Sequence, residues 1–234
     1  MARVVAKLRV LVACEESGAV RRAFRALGHD AWSCDLAPAR DEVLHHITGD
    51  VRRLLNGENP IVPYGFPLPP REWDLLIAFP PCTYLCNSGV RWFTTIPDIQ
   101  KPGFLYGERR RNAMNAACDL FAALYHSSIP HVAIENPIMH GHARRRLAYG
   151  LEVPEFTQSI QPWQFGHGEV KRTCLWLKGL PPLTPTDIVS GREARVHKTA
   201  PSEFRSRDRA VTYAGIARAM AEQWSAYILA MRAA

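Results

Sequence analysis

The amino-acid sequence predicts an α/β fold, with residues 1–234 forming one domain around a doubly wound, mostly parallel sheet. Short apolar runs suited to buried strands alternate in the first half of the chain with stretches whose apolar residues recur at helical spacing. With 234 residues, 47% hydrophobic and 22% charged, the chain can bury one sizeable core. Ligands of such sheets bind outside the carboxyl ends of the strands, so functional residues are expected there.

The first strand and helix are predicted from adjacent stretches. Leu8 to Ala13 is a short apolar run, and Ser17 to Leu27 carries apolar residues at helical spacing behind a serine that can cap the first turn. Gly28 ends this helix. His29 to Asp35 is then predicted as the second strand, and Ile47 to Asp50 as a shorter third.

The middle of the chain begins with a predicted loop. Asn56 to Pro70 holds five prolines and two glycines, which favour irregular structure. Asp74 to Phe79 is the predicted fourth strand, Glu108 to Tyr125 a long amphipathic helix, and His131 to Glu135 the fifth strand.

The last third of the chain holds two more predicted elements, a strand over Thr173 to Leu177 and an Ala-rich helix over Val211 to Met231. Polar side chains stand at or just beyond the ends of four predicted strands: Asp35, Asp50, Cys82 and Glu135. Because parallel strands end at the same edge of a sheet, we expect these side chains to gather along one rim.

The turn after the fourth strand reads Pro-Pro-Cys and ends at Cys82. Two fixed proline φ angles limit movement of the turn, and covalent catalysis by cysteine requires a rigidly held thiol. Glu135 places an acid at the next strand end. This pair suits addition of the thiolate to carbon 6 of cytosine, which makes carbon 5 reactive towards a one-carbon electrophile. Nearby, we expect Cys86 to be structural and Arg109 to Arg111 to be a solvated helix start.

These features resemble the DNA (cytosine-5) methyltransferase family, in a short form that lacks a separate target-recognition domain. The residues that carry the resemblance are Pro80-Pro81-Cys82, Glu135-Asn136, Gln161 to Pro182, and Tyr213 to Trp224. The order of the strand-end acids, Asp35 before Asp50, also matches the family. The last two stretches look like the family's later strand with basic residues and its closing helix motif. All the pieces stand in family order and cover most of the chain.

The resemblance implies a Rossmann-like methyltransferase fold that uses S-adenosylmethionine (SAM). Cys82 would be the nucleophile, and Glu135 would hold and protonate the cytosine ring. Lys171 or Arg172 would support the flipped base or its phosphate. Base flipping is expected because a thiol cannot reach carbon 6 inside a stacked duplex.

The expected cofactor contacts also follow from the resemblance. The loop from Ala13 to Gly18 would lie against the methionine part of SAM, Asp35 would bind the ribose hydroxyls, and Asp50 the adenine amino group. A carboxylate suits a diol because it accepts two hydrogen bonds. The full set of expected cofactor residues is Ala13, Cys14, Glu15, Ser17, Gly18, Asp35, Leu36, Asp50, Val51 and Pro80.

DNA is the expected partner, because the formal net charge is +7 and each neutralised phosphate releases counterions. Only about thirty residues, 183–212, stand where the family places its recognition domain. This basic segment predicts a very short recognition sequence, or a partner protein that supplies specificity. The residues expected to bind nucleic acid are Arg91, Arg192, Arg195, Lys198, Arg205, Arg207 and Arg209.

Two other functions remain open from the sequence. The short 183–212 segment also suits a pyrimidine nucleotide or RNA substrate. The loop from Ala13 to Gly18 has one glycine where the family has a Gly-rich turn, so a modified one-carbon donor is an alternative to SAM. The same departure would fit a non-catalytic nucleic-acid-binding relic.

The remaining composition indicates a soluble, intracellular protein, cytoplasmic in a bacterium or a phage-infected cell. No apolar run approaches the length of a membrane helix. The six cysteines show no disulfide framework and are expected to be reduced. Cysteine and histidine spacing does not match a zinc site, so no metal is predicted. The compact chain would suit a mobile element such as a phage.

Overall fold

The computed structural model describes residues 6–41, 44–58, 69, 72–195 and 205–233. One sheet lies at the centre of these residues. Its strands are β1 (Arg9–Ala13), β2 (Asp30–Asp35), β3 (His46–Thr48), β4 (Leu75–Ala78), β5 (His131–Asn136), β6 (Gln158–Ile160) and β7 (Thr173–Lys178). Their order in space is β3-β2-β1-β4-β5-β7-β6.

The first five strands run parallel to one another, whereas β7 is antiparallel to both β5 and β6. The predicted doubly wound, mostly parallel sheet is therefore confirmed, and its arrangement is Rossmann-like. The chain leaves β1 for β2 on one side and later returns to place β4 on the other side. This reversal of strand order opens a crevice at the carboxyl end of β1, where ligands of such sheets bind.

The helices flank the sheet. They are α1 (Ala19–Ala26), α2 (Val51–Leu55), α3 (Gly107–Tyr125), α4 (Gly141–Arg145), α5 (Arg205–Ala210), α6 (Ala214–Ala219) and α7 (Ser225–Ala233). Single π-helical turns follow α4, at Arg146–Gly150, and join α6 to α7, at Met220–Trp224. A 3-10 helix spans Asn87–Phe93 and a shorter one Pro162–Gln164. Among the described helices, none has both the length and the apolar character needed to span a membrane.

Both faces of the sheet are buried, which is why its parallel strands read as nearly continuous apolar runs. Successive side chains of β4 alternate between the two faces. Leu76 packs in one core with Phe121 of α3, while Leu75 packs in the other with Phe24 of α1. The second core also holds Trp224, whose indole nitrogen donates a hydrogen bond to the Pro181 carbonyl at 3.0 Å.

A buried carboxylate ties the two ends of the described chain to the sheet. Asp74 accepts hydrogen bonds from the backbone and guanidinium of Arg9, at 2.7 and 3.1 Å, and an ion pair from Arg232 at 2.6 Å. Burial alone would raise the pKa of Asp74, but these partners lower it below its ordinary value. These contacts therefore favour the ionised carboxylate.

We expect Asp74→Asn to reduce the free energy of unfolding at pH 7 by about 1–2 kcal/mol, a value discounted because both arginines are partly exposed. A folded-state pKa below the unfolded value stabilises the native state above about pH 4, and this contribution disappears as pH falls through the folded-state pKa. Urea unfolding at several pH values between 3 and 7 should thus show that the free energy of unfolding falls less steeply towards acid pH for Asp74→Asn than for wild type. An equally steep fall for both proteins would contradict this role of Asp74.

Candidate active site

Cys82 and Glu135 lie at the carboxyl ends of two neighbouring strands. The parallel register pairs Ala78, the last residue of β4, with Ile134, so Glu135 stands one residue beyond this pair. The two strand ends are tied together by the buried side chain of Asn136, whose amide nitrogen donates to the Pro80 carbonyl at 3.0 Å. The structure therefore brings the predicted nucleophile and the predicted acid to the same rim.

The charge of Glu135 acts on the thiol of Cys82. A hydrogen bond with Cys86, burial, and the negative charges of Cys86 and Glu135 all raise the pKa of Cys82. The thiol is only partly exposed. It therefore lies at the protein surface of the rim without being sealed in the apolar interior.

The turn that carries Cys82 is held from two sides. Backbone amides of Leu85 and Cys86 both donate to the Cys82 carbonyl at 3.0 Å. On the β5 side, Cys86 forms a backbone bridge with Met139, and the amide of His140 donates to the Leu85 carbonyl at 2.9 Å. The turn is thus fixed to the chain that leaves β5, which also carries Glu135.

Arg110 of α3 holds the same turn from the other side, although the sequence predicted a solvated helix start there. Its guanidinium is buried and donates to the carbonyl of Thr83 at 3.1 Å. It lies 5.1 Å from the ring centres of both Tyr84 and Phe104. A Cβ at Gly89 would stand 1.9 Å from this guanidinium, so any larger residue at position 89 would displace it. The prediction for Arg110 is wrong because tertiary packing draws it inward.

Glu135 lines a small cavity at the rim. Burial raises the pKa of its carboxyl, while the charge of Lys171 and a hydrogen bond with Thr173 lower it, and the net direction is upward. The carboxyl therefore keeps its proton to a higher pH than an ordinary glutamate. The remaining residues around this cavity are Phe79, Lys171, Thr173, Thr212, Tyr213, Ile216 and Met220.

The structure separates the two basic residues between which the sequence did not choose. Lys171 lines the Glu135 cavity, where its ammonium donates to the Arg209 carbonyl at 2.8 Å. Arg172 is exposed and donates to the hydroxyl of Ser159 at 2.9 Å. The cation beside the predicted acid is therefore Lys171.

A second cavity adjoins the first. Phe79 and Thr212 line both cavities, so the two are neighbours separated by these side chains. The other residues around the second cavity are Cys14, Glu15, Glu16, Ser17, Ala210 and Val211. The loop that the sequence assigned to a cofactor thus borders this second space.

Within that loop, Cys14 adopts a left-handed backbone conformation, with φ of 56°. Glu15 is buried, and its carboxylate accepts hydrogen bonds from the amides of Val20 and Arg21 at 2.7 and 3.3 Å. Glu15 therefore caps α1. The predicted cap, Ser17, accepts a hydrogen bond from the amide of Ala19 at 3.3 Å. A protein carboxylate already fills the helix N-terminus, which in dinucleotide-binding folds holds phosphate.

Asp35 and Asp50 come together beside the same loop. Burial and then the charge of Asp35 raise the pKa of Cys14 to about 12, and Asp50 contributes as well. Each aspartate also has a local partner: Asp35 accepts from the amide of Ala37 at 2.8 Å, and Asp50 caps α2 by accepting from the amide of Arg52 at 3.0 Å.

The expected apolar contacts of the cofactor differ in exposure. Leu36, which follows Asp35, is 78% exposed and offers apolar surface at the rim. Val51 and Pro80 are buried. Among the described residues, no group of three or more His, Cys, Asp or Glu side chains could hold a metal ion.

The predicted nucleic-acid contacts fall into four groups. Arg91 lies over the ring of Trp92 at 4.2 Å. Arg192 lies over Trp163 at 3.9 Å, and Arg195 pairs with Glu193 at 2.8 Å. The backbone carbonyl of Arg209 accepts the hydrogen bond from Lys171. Lys198 lies outside the described residues, and so do the side chains of Arg205 and Arg207. The segment that follows Leu183 bridges back to the chain before β7, at Phe165 with Asp187 and at Glu169 with Glu193.

No protein-family model and no curated protein matches this sequence. Among solved structures, the chain is similar to a protein described as a DNA modification methyltransferase encoded within a prophage (E. coli). Identity is 12% and the TM-score 0.44, over 78% of this chain and 52% of that chain. It is also similar to the Entamoeba histolytica methyltransferase EhMeth, with 12% identity, a TM-score of 0.44, and coverage of 79% and 58%. The chain spans little more than half the length of these two proteins.

Proposed function

We propose that this chain is a DNA (cytosine-5) methyltransferase that uses SAM and forms a covalent intermediate through Cys82. The observation that carries the proposal is the pairing of a partly exposed thiol with a half-buried carboxyl of raised pKa at adjacent strand ends. Glu135 lines one of two adjoining cavities, and the Cys14–Ser17 loop lines the other, whereas Cys82 lines neither of them. We assign the target ring to the side of Glu135 and the donor to the side of the Cys14–Ser17 loop.

The residues around the second cavity fit SAM better than a dinucleotide. Because Glu15 fills the N-terminus of α1, a phosphate would meet a carboxylate there, and SAM carries no phosphate. Asp35 would accept hydrogen bonds from the ribose hydroxyls, Asp50 would receive the adenine amino group, and Leu36 would cover the adenine face. When bound, SAM supplies an electrophilic methyl group.

The chemistry assigned to this chain begins at Cys82. Its sulfur forms a bond to carbon 6 of the cytosine, and the electron pair of the ring double bond moves towards carbon 5. Glu135 gives a proton to ring nitrogen 3, which stabilises the negative charge that would develop on the ring. Once carbon 5 has gained the methyl group, its proton passes to a solvent water, and the carbon 5–hydrogen electron pair restores the ring double bond. The sulfur–carbon bond then breaks with its electron pair returning to the Cys82 sulfur, and nitrogen 3 gives its proton back to Glu135.

DNA is the proposed substrate because the chain carries a net charge of +7. The target base would be flipped out of the duplex, because the Cys82 thiol cannot reach carbon 6 of a stacked base. The proposed phosphate contacts are Arg91, Arg192, Arg195, Lys198, Arg205, Arg207 and Arg209. The short segment 183–212 would read only a short sequence.

The decisive experiment uses duplex DNA that contains 5-fluorocytosine, incubated with the chain and SAM. Fluorine cannot leave as the proton does, so the sulfur–carbon bond persists and the protein–DNA adduct survives a denaturing gel. We expect an adduct that requires SAM. Label transfer from SAM to duplex DNA, RNA and dCMP is then compared, and transfer to RNA or dCMP alone would replace DNA as the substrate. No adduct and no transfer to any of the three would overturn the proposal.

Binding of SAM can be tested apart from catalysis. We expect Asp35→Asn to weaken SAM binding about tenfold or more, because a hydrogen bond from a hydroxyl to a charged acceptor contributes about 1.5–3 kcal/mol. Isothermal titration calorimetry measures this directly. The matched control is Asp98→Asn, at an exposed position, which should bind SAM as the wild type does. Equal affinities for all three proteins would remove Asp35 from the site, and an absence of heat with wild type would indicate a relic.

A further inference from the structure

Arg40, in the loop after β2, joins two segments of the chain that border the second cavity. Its guanidinium donates to the carboxylate of Glu16 from Nε at 2.9 Å and from Nη2 at 2.5 Å, and its backbone amide donates to the Glu16 carbonyl at 2.9 Å. The remaining guanidinium nitrogen, Nη1, lies 3.3 Å from the carboxylate of Asp208 on α5. One side chain therefore reaches both the loop after β1 and α5.

The two partners of Arg40 belong to two walls of this cavity. Glu16 itself lines the cavity, together with the rest of the Cys14–Ser17 loop. Asp208 begins the segment 208–212, and the last three residues of this segment line the same cavity. Arg40 joins the two walls without being one of the described residues that line the cavity. Its effect on a ligand there would thus act through the walls.

The two contacts of Arg40 differ in strength. The side chains of Arg40 and Glu16 are 29% and 15% exposed, whereas that of Asp208 is 56% exposed. Two guanidinium nitrogens and a backbone amide hold Glu16, and charge-assisted hydrogen bonds strengthen as water is excluded. A single contact with an exposed carboxylate is weak and is screened by salt. The Glu16 contact is therefore the fixed attachment, and the Asp208 contact is the one that can open.

The segment 208–212 also separates the two cavities. Thr212 lines both of them, and the ammonium of Lys171, in the first cavity, donates to the Arg209 carbonyl at 2.8 Å. The segment thus has one attachment on the side of the target ring, through Lys171, and one on the side of the donor, through Arg40. Loss of the second attachment would leave the donor side of this wall unsupported by Arg40.

We propose that Arg40 is a positioning residue of the donor site, which keeps the two walls together around bound SAM, and that its contact with Asp208 opens and closes. The inference rests on the proposed function, because it concerns the cavity assigned there to SAM. SAM would lie between the Cys14–Ser17 loop and the segment 208–212, so it would bind the closed state. The apparent affinity of a ligand that binds one of two states falls with the population of that state. Removing the contact should therefore weaken SAM binding.

The test measures SAM binding by isothermal titration calorimetry, without DNA. We expect Asp208→Asn to weaken binding about twofold to fivefold, the effect of an exposed ion pair, and Arg40→Gln to weaken it about tenfold or more, because the Glu16 contact is lost as well. The variant that carries both changes should bind SAM as Arg40→Gln does, since Asp208 then has no partner left to lose. Additive losses would show that the two residues act separately, which contradicts the inference.

Rescue by a conservative change separates this role from a general structural effect. Asp208 is exposed, so Asp208→Glu and Asp208→Asn should both fold as wild type does, but only Asp208→Glu should keep most of the SAM affinity. The difference between wild type and Asp208→Asn should shrink as salt rises from about 0.1 M to about 1 M, because the screening length falls from about 10 Å to about 3 Å. Equal affinities of the two Asp208 variants at low salt would contradict the contact.

The matched control is Arg144→Gln, which removes an exposed ion pair with Glu155 at 2.8 Å and should bind SAM as wild type does. If Arg40→Gln and Asp208→Asn also bound SAM as wild type does, this inference alone would fail. If wild type bound no SAM, the role of Arg40 and the assignment of the donor would fail together. The expected order of affinities without methyl transfer to duplex DNA would support the role of Arg40 and overturn the proposed function.

Discussion

Replacing Cys82 by serine is expected to lower methyl transfer by about 10⁴-fold or more, while the fold and SAM binding remain as in wild type. A serine hydroxyl at this position stays protonated near neutral pH and attacks carbon 6 poorly. Cys82 is only partly buried, and the turn around it is held by backbone hydrogen bonds that serine preserves. The loss should therefore appear in kcat, with KM for DNA and the unfolding midpoint little changed.

The Cys82→Ser measurement combines single-turnover transfer with the 5-fluorocytosine gel. Wild type and Cys118→Ala, which removes a buried thiol from α3, should both give the adduct. Cys82→Ser should give none. If the serine variant produced the same adduct as wild type, the nucleophile would be another residue.

The fold could be predicted because its parallel strands are buried on both faces. Such strands need apolar residues at nearly every position, so a short stretch of sequence is enough to recognise them. The predicted Leu8 to Ala13 corresponds to β1 from Arg9, and the predicted His131 to Glu135 to β5, which extends one residue further. The predicted Glu108 to Tyr125 matches α3 within one residue at its start.

The elements that sequence reasoning missed are short or depend on distant partners. β6 has three residues and α2 has five, too few to show a period. The antiparallel direction of β7 is fixed by its neighbours β5 and β6, about which its own sequence carries no local signal. The long C-terminal helix was predicted from Val211, but it begins at Ala214 and contains the π-helical turn before Ser225.

The candidate site divides in the same way. Cys82 and Glu135 were predictable because both stand at or just past strand ends, and the sheet alone places them on one rim. The roles of Glu15 as a helix cap, Asn136 as a tether and Arg110 as a buried clamp were not predicted. Each depends on which way a side chain turns once the chain has folded. For Asn136 the signal was its position beside Glu135.

Glu135→Gln is expected to reduce kcat by about 10²–10⁴-fold, the range in which a positioned acid contributes. Glutamine keeps the shape and can still donate a hydrogen bond, but it cannot transfer a proton to ring nitrogen 3. The sign of the pH effect follows from the raised pKa of the carboxyl. Wild-type activity that depends on the protonated acid should persist as pH rises above the ordinary value of about 4.3 and fall beyond the raised pKa. The glutamine variant should lack this alkaline fall.

Stability separates this effect from unfolding. A carboxyl whose folded-state pKa is raised stabilises the native state at low pH and loses that contribution as pH rises from the unfolded to the folded pKa. Removing the titrating group should thus leave Glu135→Gln at least as stable as wild type at pH 8, measured by urea unfolding. The matched control, Glu155→Gln, removes an exposed carboxylate that pairs with Arg144 at 2.8 Å and should keep full activity. Full activity of Glu135→Gln across the pH range would show that the ring receives its proton from another group.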